Sequence, residues 1–178
     1  PQTPPAALPA GAPSRRSCLC TLQAQLLKGV WLLVRSGRLE DARQYCRDCR
    51  QPWRAASLGG GTPYHEDPVS KEWVGNPDRS QWRRVCKEIS ERALANAQMP
   101  GANYEAAVYA SLSESTAAIH AILPVCAGWE DVLWATARVH LGAHLAEQQE
   151  HVRQGGTTPR MRGLDVLSSL FDAAASAH

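Results

Sequence analysis

Apolar residues recur every three or four positions along most of this chain, a spacing that is typical of amphipathic helices. The first such stretch predicts a helix over 17–36, and its main stripe consists of Leu19, Leu22, Leu26, Val30 and Leu33. A second set widens this face and consists of Leu27, Trp31 and Val34. The apolar face then covers about half of the helix circumference, which predicts contact with more than one neighbouring helix.

A second helix is predicted over 38–50, directly after Gly37, the residue type that commonly ends a helix. One face of this second helix is formed by Leu39, Ala42, Cys46 and Cys49. The two helices therefore form an antiparallel helical hairpin, which is the building unit of α-solenoids. No period of about 34 or 40 residues repeats along the chain, so a regular tetratricopeptide or HEAT array is not predicted.

Helical patterns continue towards the end of the chain, over 78–97, 104–112, 116–123, 129–151 and 163–175. Pro52 suits the first turn of a further short helix within 51–58. The stretch 59–75 is rich in Gly and Pro and has no periodicity, so we predict a loop without strands there. The fold class predicted from these patterns is all-α, an irregular α-solenoid of antiparallel helical hairpins.

The same patterns divide the chain into four parts. Residues 1–16 are rich in Pro and Ala and are predicted to form a disordered linker. The α-helical solenoid segment follows over 17–151, then a loop over 152–162, and finally a terminal helix and tail over 163–178. Because the chain begins with Pro rather than Met, we expect it to be a fragment of a longer protein.

Composition and charge fit a globular domain. The chain has 178 residues, a formal net charge of +2 and 44% hydrophobic residues. No apolar run approaches the roughly 20 residues of a membrane span, and the N-terminus lacks the apolar core of a secretory signal. The six cysteines show no regular framework. Three of them fall at apolar helix positions and are predicted to be reduced core residues: Cys46, Cys86 and Cys126.

Two residue pairs have the spacing of a metal or redox site. Cys46 and Cys49 match a zinc half-site or a redox pair, but they lie within a predicted helix and lack a second pair at similar spacing. His140 and His144 lie four positions apart, but Leu141 stands where the zincin motif has Glu. We therefore predict no metal, cofactor or catalytic site. A metal- or thiol-dependent enzyme that uses these four residues remains an alternative.

The charged residues also favour structural roles. Glu130 and Asp131 lie in the first turn of a predicted helix, where negative charge complements the helix dipole. The arginines of the first hairpin are interspersed with acidic residues and lack the regular aromatic residues that stack on bases. Direct binding of nucleic acid is therefore not expected, and neither is a small-molecule substrate.

Five aromatic residues are predicted to be structural anchors of the helical packing: Trp53, Trp82, Tyr104, Trp129 and Trp134. Trp129 and Trp134 lie five positions apart and cannot share one helix face closely, so we expect them to contact different neighbours at one junction. The helix over 17–36 has more apolar surface than a single return helix can cover. Its stripe is therefore predicted to be partly bare and to form a partner interface: Leu22, Leu26, Val30 and Leu33.

Five segments, taken in order, resemble the nucleoporin-107 family, which is called nucleoporin-84 in yeasts. They span roughly Leu26 to Leu141 and read LLVRSGRLEDARQYCRDC, QPWRAASL, GNPDRSQWRRVC, YEAAVYASL and LPVCAGWEDVLWA. Their order and spacing make the match specific. One departure is Arg50, where the family pattern has Gly before QPW. Either Arg50 adopts a strained left-handed cap, or the helix continues for one further turn.

The resemblance implies a structural component of the Y-shaped outer-ring complex of the nuclear pore, in the nuclear envelope. Such a protein supports pore assembly and nucleocytoplasmic transport, including mRNA export and protein import. The family implies binding to a nucleoporin-96 neighbour (nucleoporin-145C in yeast) through its N-terminal half. It also implies a nucleoporin-133 contact through far C-terminal helices, which are expected to lie outside this chain. The alternative interpretation is a coat-like or helical-repeat adaptor in vesicle traffic.

Overall fold

The computed structural model describes residues 15–153 of the chain. Seven α-helices lie within this range: α1 (Arg15–Arg35), α2 (Leu39–Asp48), α3 (Pro52–Leu58), α4 (Arg79–Ala95), α5 (Ala102–Ser113), α6 (Ile119–Ile122) and α7 (Trp129–Arg153). The predicted all-α class is confirmed, because helices form most of the described part of the chain. The linker predicted over 1–16 lies outside the described residues up to residue 14, and the loop predicted over 152–162 lies outside them from residue 154 onwards, while residues 15–16 and 152–153 are helical instead. The helix predicted over 163–175 lies outside the described residues.

A short β-hairpin is the one sheet between residues 15 and 153. Its strands β1 (His65–Glu66) and β2 (Trp73–Val74) pair antiparallel, with Glu66 opposite Trp73. The prediction of a strandless loop over 59–75 was therefore wrong. Asp67 Oδ1 accepts hydrogen bonds from the backbone N–H groups of Val69 and Ser70, at 2.7 and 2.9 Å. A side chain that bonds its own turn in this way orders a segment that has no hydrophobic periodicity.

The hairpin of α1 and α2 ends in a left-handed residue. Arg50 has φ 57°, and the following N–H, that of Gln51, donates to the carbonyl of Cys46 at 2.8 Å. This bond from just beyond the helix back to its last turn is the Schellman arrangement that a glycine usually closes. The helix does not continue past Arg50, and the cost of a left-handed arginine is about 1 kcal/mol.

Helix α5 lies at the centre of the packing and contacts α1, α4 and α6. Its residues from Ala106 to Ser113 are all buried, as expected for a helix that is apolar around its whole circumference. The turn before α5 also approaches α1 closely. A Cβ atom placed on Gly101 would lie 2.9 Å from the Cα of Ala24, and Gly101 has φ 82°. Glycine therefore satisfies both the close approach and the left-handed conformation at this turn.

This central helix covers much of the α1 stripe that was expected to be bare. Leu26 is 6% exposed and Val30 is fully buried, and both belong to the same core cluster as the α5 residues. The prediction of an open surface was therefore wrong for Leu26 and Val30. Helix α1 packs between α2 and α5, so one side is covered by its hairpin partner and another by a helix some 70 residues later in the chain.

We predict that Leu26→Ala lowers the free energy of unfolding by about 2–5 kcal/mol, because it removes buried methyl groups and leaves a cavity. The matched control is Leu22→Ala one turn earlier on α1, where the side chain is 56% exposed. This control should cost less than about 0.5 kcal/mol. Urea unfolding followed by circular dichroism measures both, and equal losses for the two variants would contradict the packing of α1 on α5.

Candidate interaction surface and the junction behind it

The end of α5 carries a buried carboxylate that three arginines approach. Glu114 is 9% exposed and has φ 54°. Its Oε1 accepts a hydrogen bond from Arg79 at 2.5 Å, and its Oε2 accepts one from Arg83 at 2.7 Å. A guanidinium nitrogen of Arg138 lies 4.0 Å from Oε1. One side chain thereby connects the beginning of α4, the end of α5 and the middle of α7. We call this cluster the Glu114 junction.

The excess positive charge of the Glu114 junction is balanced by backbone carbonyls. Arg79 Nε donates to the carbonyl of Gly61 at 2.8 Å, and Arg138 Nε donates to the carbonyl of Ser111 at 3.2 Å. Burial lowers the pKa of the Arg79 guanidinium, while the Glu114 carboxylate acts in the opposite direction. Buried guanidinium groups are tolerated only when such partners take up their N–H groups.

A second buried ion pair joins α3 to α5. Arg54 is 2% exposed, its Nε donates to the side-chain oxygen of Gln51 at 2.9 Å, and Nη1 lies 2.6 Å from Glu105 Oε1. The guanidinium also lies 4.5 Å from the ring centroid of Trp53. This geometry combines a charge-assisted hydrogen bond with a cation–π contact.

Trp53 itself is 59% exposed, so the prediction that it is a core anchor was wrong. The short helix α3 buries Arg54, Ala55 and Leu58, and Trp53 lies beside this face rather than on it. The tryptophan was predicted to be the anchor because it is a large aromatic side chain, whereas arginine is rarely buried unless it is paired. The partner, Glu105, lies 51 positions away in the chain, so no local pattern indicated the pair.

The other predicted anchors on α4, α5 and α7 do pack against the core cluster. Trp134 makes an edge-to-face contact with Trp31 of α1, with ring centroids 5.5 Å apart and an interplanar angle of 83°. Trp82 Nε1 donates to the carbonyl of Ser57 at 2.8 Å. Tyr104 is partly buried against the same cluster. These contacts join α1 to α7 and α3 to α4, as large amphipathic rings with one polar atom can do.

Trp129 is the second anchor that was predicted wrongly, because it is 65% exposed. It is the first residue of α7, where the Cα–Cβ bond points towards the N-terminal end of the helix. The neighbouring helix α1 ends at Arg35, whose guanidinium pairs with Asp131 in the first turn of α7. The side chain of Trp129 therefore lies near the end of this helix contact, where it is not covered.

Asp131 also confirms the structural interpretation of the acidic residues that begin α7. Its Oδ2 accepts a hydrogen bond from the backbone N–H of Ala127 at 2.8 Å. Glu130 and Asp131 both lie in the first helical turn, where the helix dipole favours negative charge.

Two of the predicted interface residues remain available for contact with a partner. Leu22 is 56% exposed, and Leu33 packs only partly against the core. They are eleven positions apart, which is about three helical turns, so they lie on the same side of α1. We call this strip the Leu22 face. Other large apolar side chains that are at least half exposed are Leu32, Trp53, Val69, Met99, Trp73, Trp129 and Leu145.

The cysteine and histidine pairs do not assemble a chemical site between residues 15 and 153. Cys46 is buried and Cys49 is exposed, so the two thiols face different environments. A nitrogen of the His144 ring lies 2.9 Å from the amide nitrogen of Gln148. Burial raises the pKa of the Cys86 thiol to about 12, which keeps it protonated at neutral pH. Among the described residues, no group of three His, Cys, Asp or Glu side chains is placed to hold a metal ion.

A shallow groove of about 430 Å³ lies beside the turn between α4 and α5. Leu27, Ile89 and Met99 contribute apolar side chains to it, and no cysteine or histidine lines it. Within the described part of the chain, every helix is too short or too polar to cross a bilayer.

A family model for nuclear pore protein 84/107 matches residues 21–169, which is most of the chain. The chain belongs to the nuclear pore protein 84/107 family. This match confirms the resemblance that the five sequence segments suggested. It begins within α1 and includes all of the later helices that the structure describes.

Individual nucleoporins show the same relation. Human nuclear pore complex protein Nup107 is 38% identical over 132 residues, which are 71% of this chain and 13% of the human protein. Nucleoporin nup107 of Schizosaccharomyces pombe is 30% identical over 117 residues, which are 64% of this chain and 13% of the yeast protein. The Drosophila melanogaster Nup107 protein is 28% identical over 127 residues, or 66% of this chain and 14% of that protein. The chain therefore spans a small part of the length of the curated relatives it matches.

The Glu114 junction leads to a prediction about Gly142 of α7. A Cβ atom placed there would lie 2.7 Å from Cγ and 2.9 Å from Cβ of Glu114. In an open helix, Gly→Ala would stabilise the chain by about 1 kcal/mol. We predict instead that Gly142→Ala destabilises it by about 1–3 kcal/mol, because the added methyl group displaces the buried glutamate. Thermal unfolding tests this prediction, because the melting temperature of the variant should fall. A higher melting temperature would show that α7 does not approach Glu114 this closely.

Proposed function

We propose that this chain is a structural scaffold segment of a nucleoporin in the Y-shaped outer-ring complex of the nuclear pore. The observation that carries this proposal is the family match across a helical framework that is held together by buried ion pairs. Such a framework acts by presenting helix surfaces to other proteins and needs no catalytic group. The protein would be located at the nuclear envelope and support mRNA export and protein import. The nucleoporins among its relatives favour this role over a vesicle-coat adaptor.

We further propose that other nucleoporins of the outer ring contact this segment, and that a nucleoporin-96 or nucleoporin-145C neighbour binds the Leu22 face of α1. The exposure of Leu22 supports this assignment, because an exposed leucine is available for burial by a partner. Leu26 and Val30 lie in the core, so they would hold α1 in place by packing and would not contact the neighbour. The nucleoporin-133 contact would lie in a part of the protein beyond this chain.

The test replaces Leu22 by Gln in the full-length protein and measures its affinity for the purified nucleoporin-96 neighbour. We predict that Leu22→Gln weakens binding by about tenfold, because an amide would replace an apolar side chain in a desolvated contact. The free energy of unfolding should change by less than about 0.5 kcal/mol, because the position is exposed in the free chain.

The matched control is Leu32→Gln on the same helix. Leu32 is 52% exposed, almost as much as Leu22, and it lies outside the Leu22 face, about 80° around the helix from Leu22 and about 100° from Leu33. Both variants make the same uncharged change, so helix propensity and the helix dipole affect them equally. If Leu32→Gln weakens binding as much as Leu22→Gln, or if neither variant does, the proposed interface is wrong.

A further inference from the structure

The β-hairpin between α3 and α4 is fixed at its base. Asn76 Nδ2 donates to the carbonyl of Gly60 at 2.9 Å, and the backbone N–H of Asn76 donates to the carbonyl of Thr62 at 3.0 Å. At its other end, the N–H of Lys71 donates to the carbonyl of Asp67 at 2.9 Å. These bonds, together with the Asp67 turn, restrain the conformation of the hairpin. A fixed segment loses little conformational entropy when it binds a partner.

One face of this hairpin combines two stacked aromatic rings with a carboxylate. Tyr64 and Trp73 stack with ring centroids 5.0 Å apart and an interplanar angle of 26°. Glu66 lies directly opposite Trp73 in the strand pairing, so both side chains project from the same face of the ribbon, as does Tyr64 two residues earlier. Tyr64 is 48% exposed and Trp73 is 63% exposed. We call these three residues the hairpin face.

The hairpin is also acidic. Residues 62–76 contain Glu66, Asp67 and Glu72 against the single cation Lys71, which gives a formal charge of −2 with His65 neutral. Within the described residues, neither Glu66 nor Glu72 forms an ion pair with an Arg or Lys side chain. The face therefore offers open aromatic surface and negative charge at the same place. Phosphate groups of nucleic acid or anionic lipid would be repelled by it.

The chain itself shows which group fits such a combination. At the start of α3, the guanidinium of Arg54 lies over the ring of Trp53 while it pairs with the carboxylate of Glu105. The hairpin face provides the tryptophan and the glutamate of the same arrangement, but the guanidinium is not supplied by the described residues. A guanidinium is planar, so it can stack on a ring and donate two parallel hydrogen bonds to a carboxylate, whereas an ammonium group cannot do both.

We propose that the hairpin face is a docking site for an arginine-bearing segment of another protein. The arginine stacks on the exposed side of the Trp73 and Tyr64 pair and its guanidinium hydrogen-bonds to Glu66. This site is separate from the Leu22 face of α1, so it does not depend on the proposed nucleoporin-96 contact. Loss of binding at one surface and retention at the other would distinguish the two.

The probe is a synthetic Gly/Ser peptide with blocked ends and two adjacent arginines. It is titrated into the 178-residue chain, and NMR follows the indole N–H signals of the six tryptophans. The Trp73 signal should shift in a saturable way, while the Trp129 signal stays in place. A peptide with citrulline in place of arginine keeps the side-chain shape without the charge and should bind about tenfold more weakly. A third peptide, with lysine in place of arginine, keeps the positive charge without the planar guanidinium and should also bind more weakly than the arginine peptide.

The variant Glu66→Gln keeps the aromatic stack and should weaken arginine-peptide binding by about threefold to tenfold. Its matched control is Glu130→Gln, because Glu130 follows the exposed Trp129 in sequence, and the Trp129 ring stacks on no other ring within the described residues. This control should leave binding unchanged. Circular dichroism and the Trp82 indole signal report that each variant remains folded.

Three results would overturn the proposal. The Trp73 signal does not move, or the citrulline or lysine peptide binds as tightly as the arginine peptide, or Glu130→Gln weakens binding as much as Glu66→Gln. A shift of the Trp73 signal on addition of a short oligothymidylate at the same concentration would also overturn it, since it would assign the stacked rings to nucleic acid instead.

Discussion

The buried carboxylate of Glu114 is the contact on which the packing of α4, α5 and α7 depends. Three arginines from two helices meet this one acceptor at the end of α5. Removing charged groups from water costs several kcal/mol for each ion, and only close pairing and complete hydrogen bonding offset that cost. The helices must therefore take the relative positions that bring all four side chains together. Gly142 adds a steric constraint, because α7 approaches the glutamate too closely for a side chain.

This constraint determines which surfaces remain outside. Once α5 is held between α4 and α7, it also covers Leu26 and Val30 of α1. The Leu22 face, the first turn of α7 and the β-hairpin are among the places where large apolar side chains then remain exposed to solvent. A scaffold needs rigid helices inside and apolar contacts outside. The division between buried ion pairs and exposed hydrophobic residues in this chain meets both needs.

Local patterns in the sequence predicted the helices well, because periodicity and helix-end residues act over a few positions. The helix predicted over 129–151 is observed as Trp129–Arg153, and that predicted over 38–50 as Leu39–Asp48. Patterns could not show which helix covers which face. The open stripe at Leu26 and Val30 and the anchor roles of Trp53 and Trp129 were predicted from hydrophobicity alone, and long-range packing overrode it.

Sequence patterns also did not show which charged side chains are buried. Arg54 and Glu114 look like ordinary surface residues in the sequence, yet each is buried by a partner at least 31 positions away. The β-hairpin was missed because Asp67 orders it through two hydrogen bonds to its own turn, and a composition rich in Gly and Pro gives no sign of that. Family resemblance added the scaffold role, which no single motif in the chain could indicate.

A double-mutant cycle between Glu114 and Arg83 tests the central claim most directly. Arg83 is suited to it because its guanidinium bonds Glu114 Oε2 at 2.7 Å. Glu114→Gln, Arg83→Met and the double variant would be compared with the unaltered chain by urea unfolding. If the junction holds the helices together, the pair should show a coupling energy of about 1–3 kcal/mol, and Glu114→Gln alone should cost about 3–5 kcal/mol. If the losses in free energy of unfolding of the two single variants add up to that of the double variant, with a coupling energy below about 0.5 kcal/mol, the central role of the Glu114 junction is contradicted.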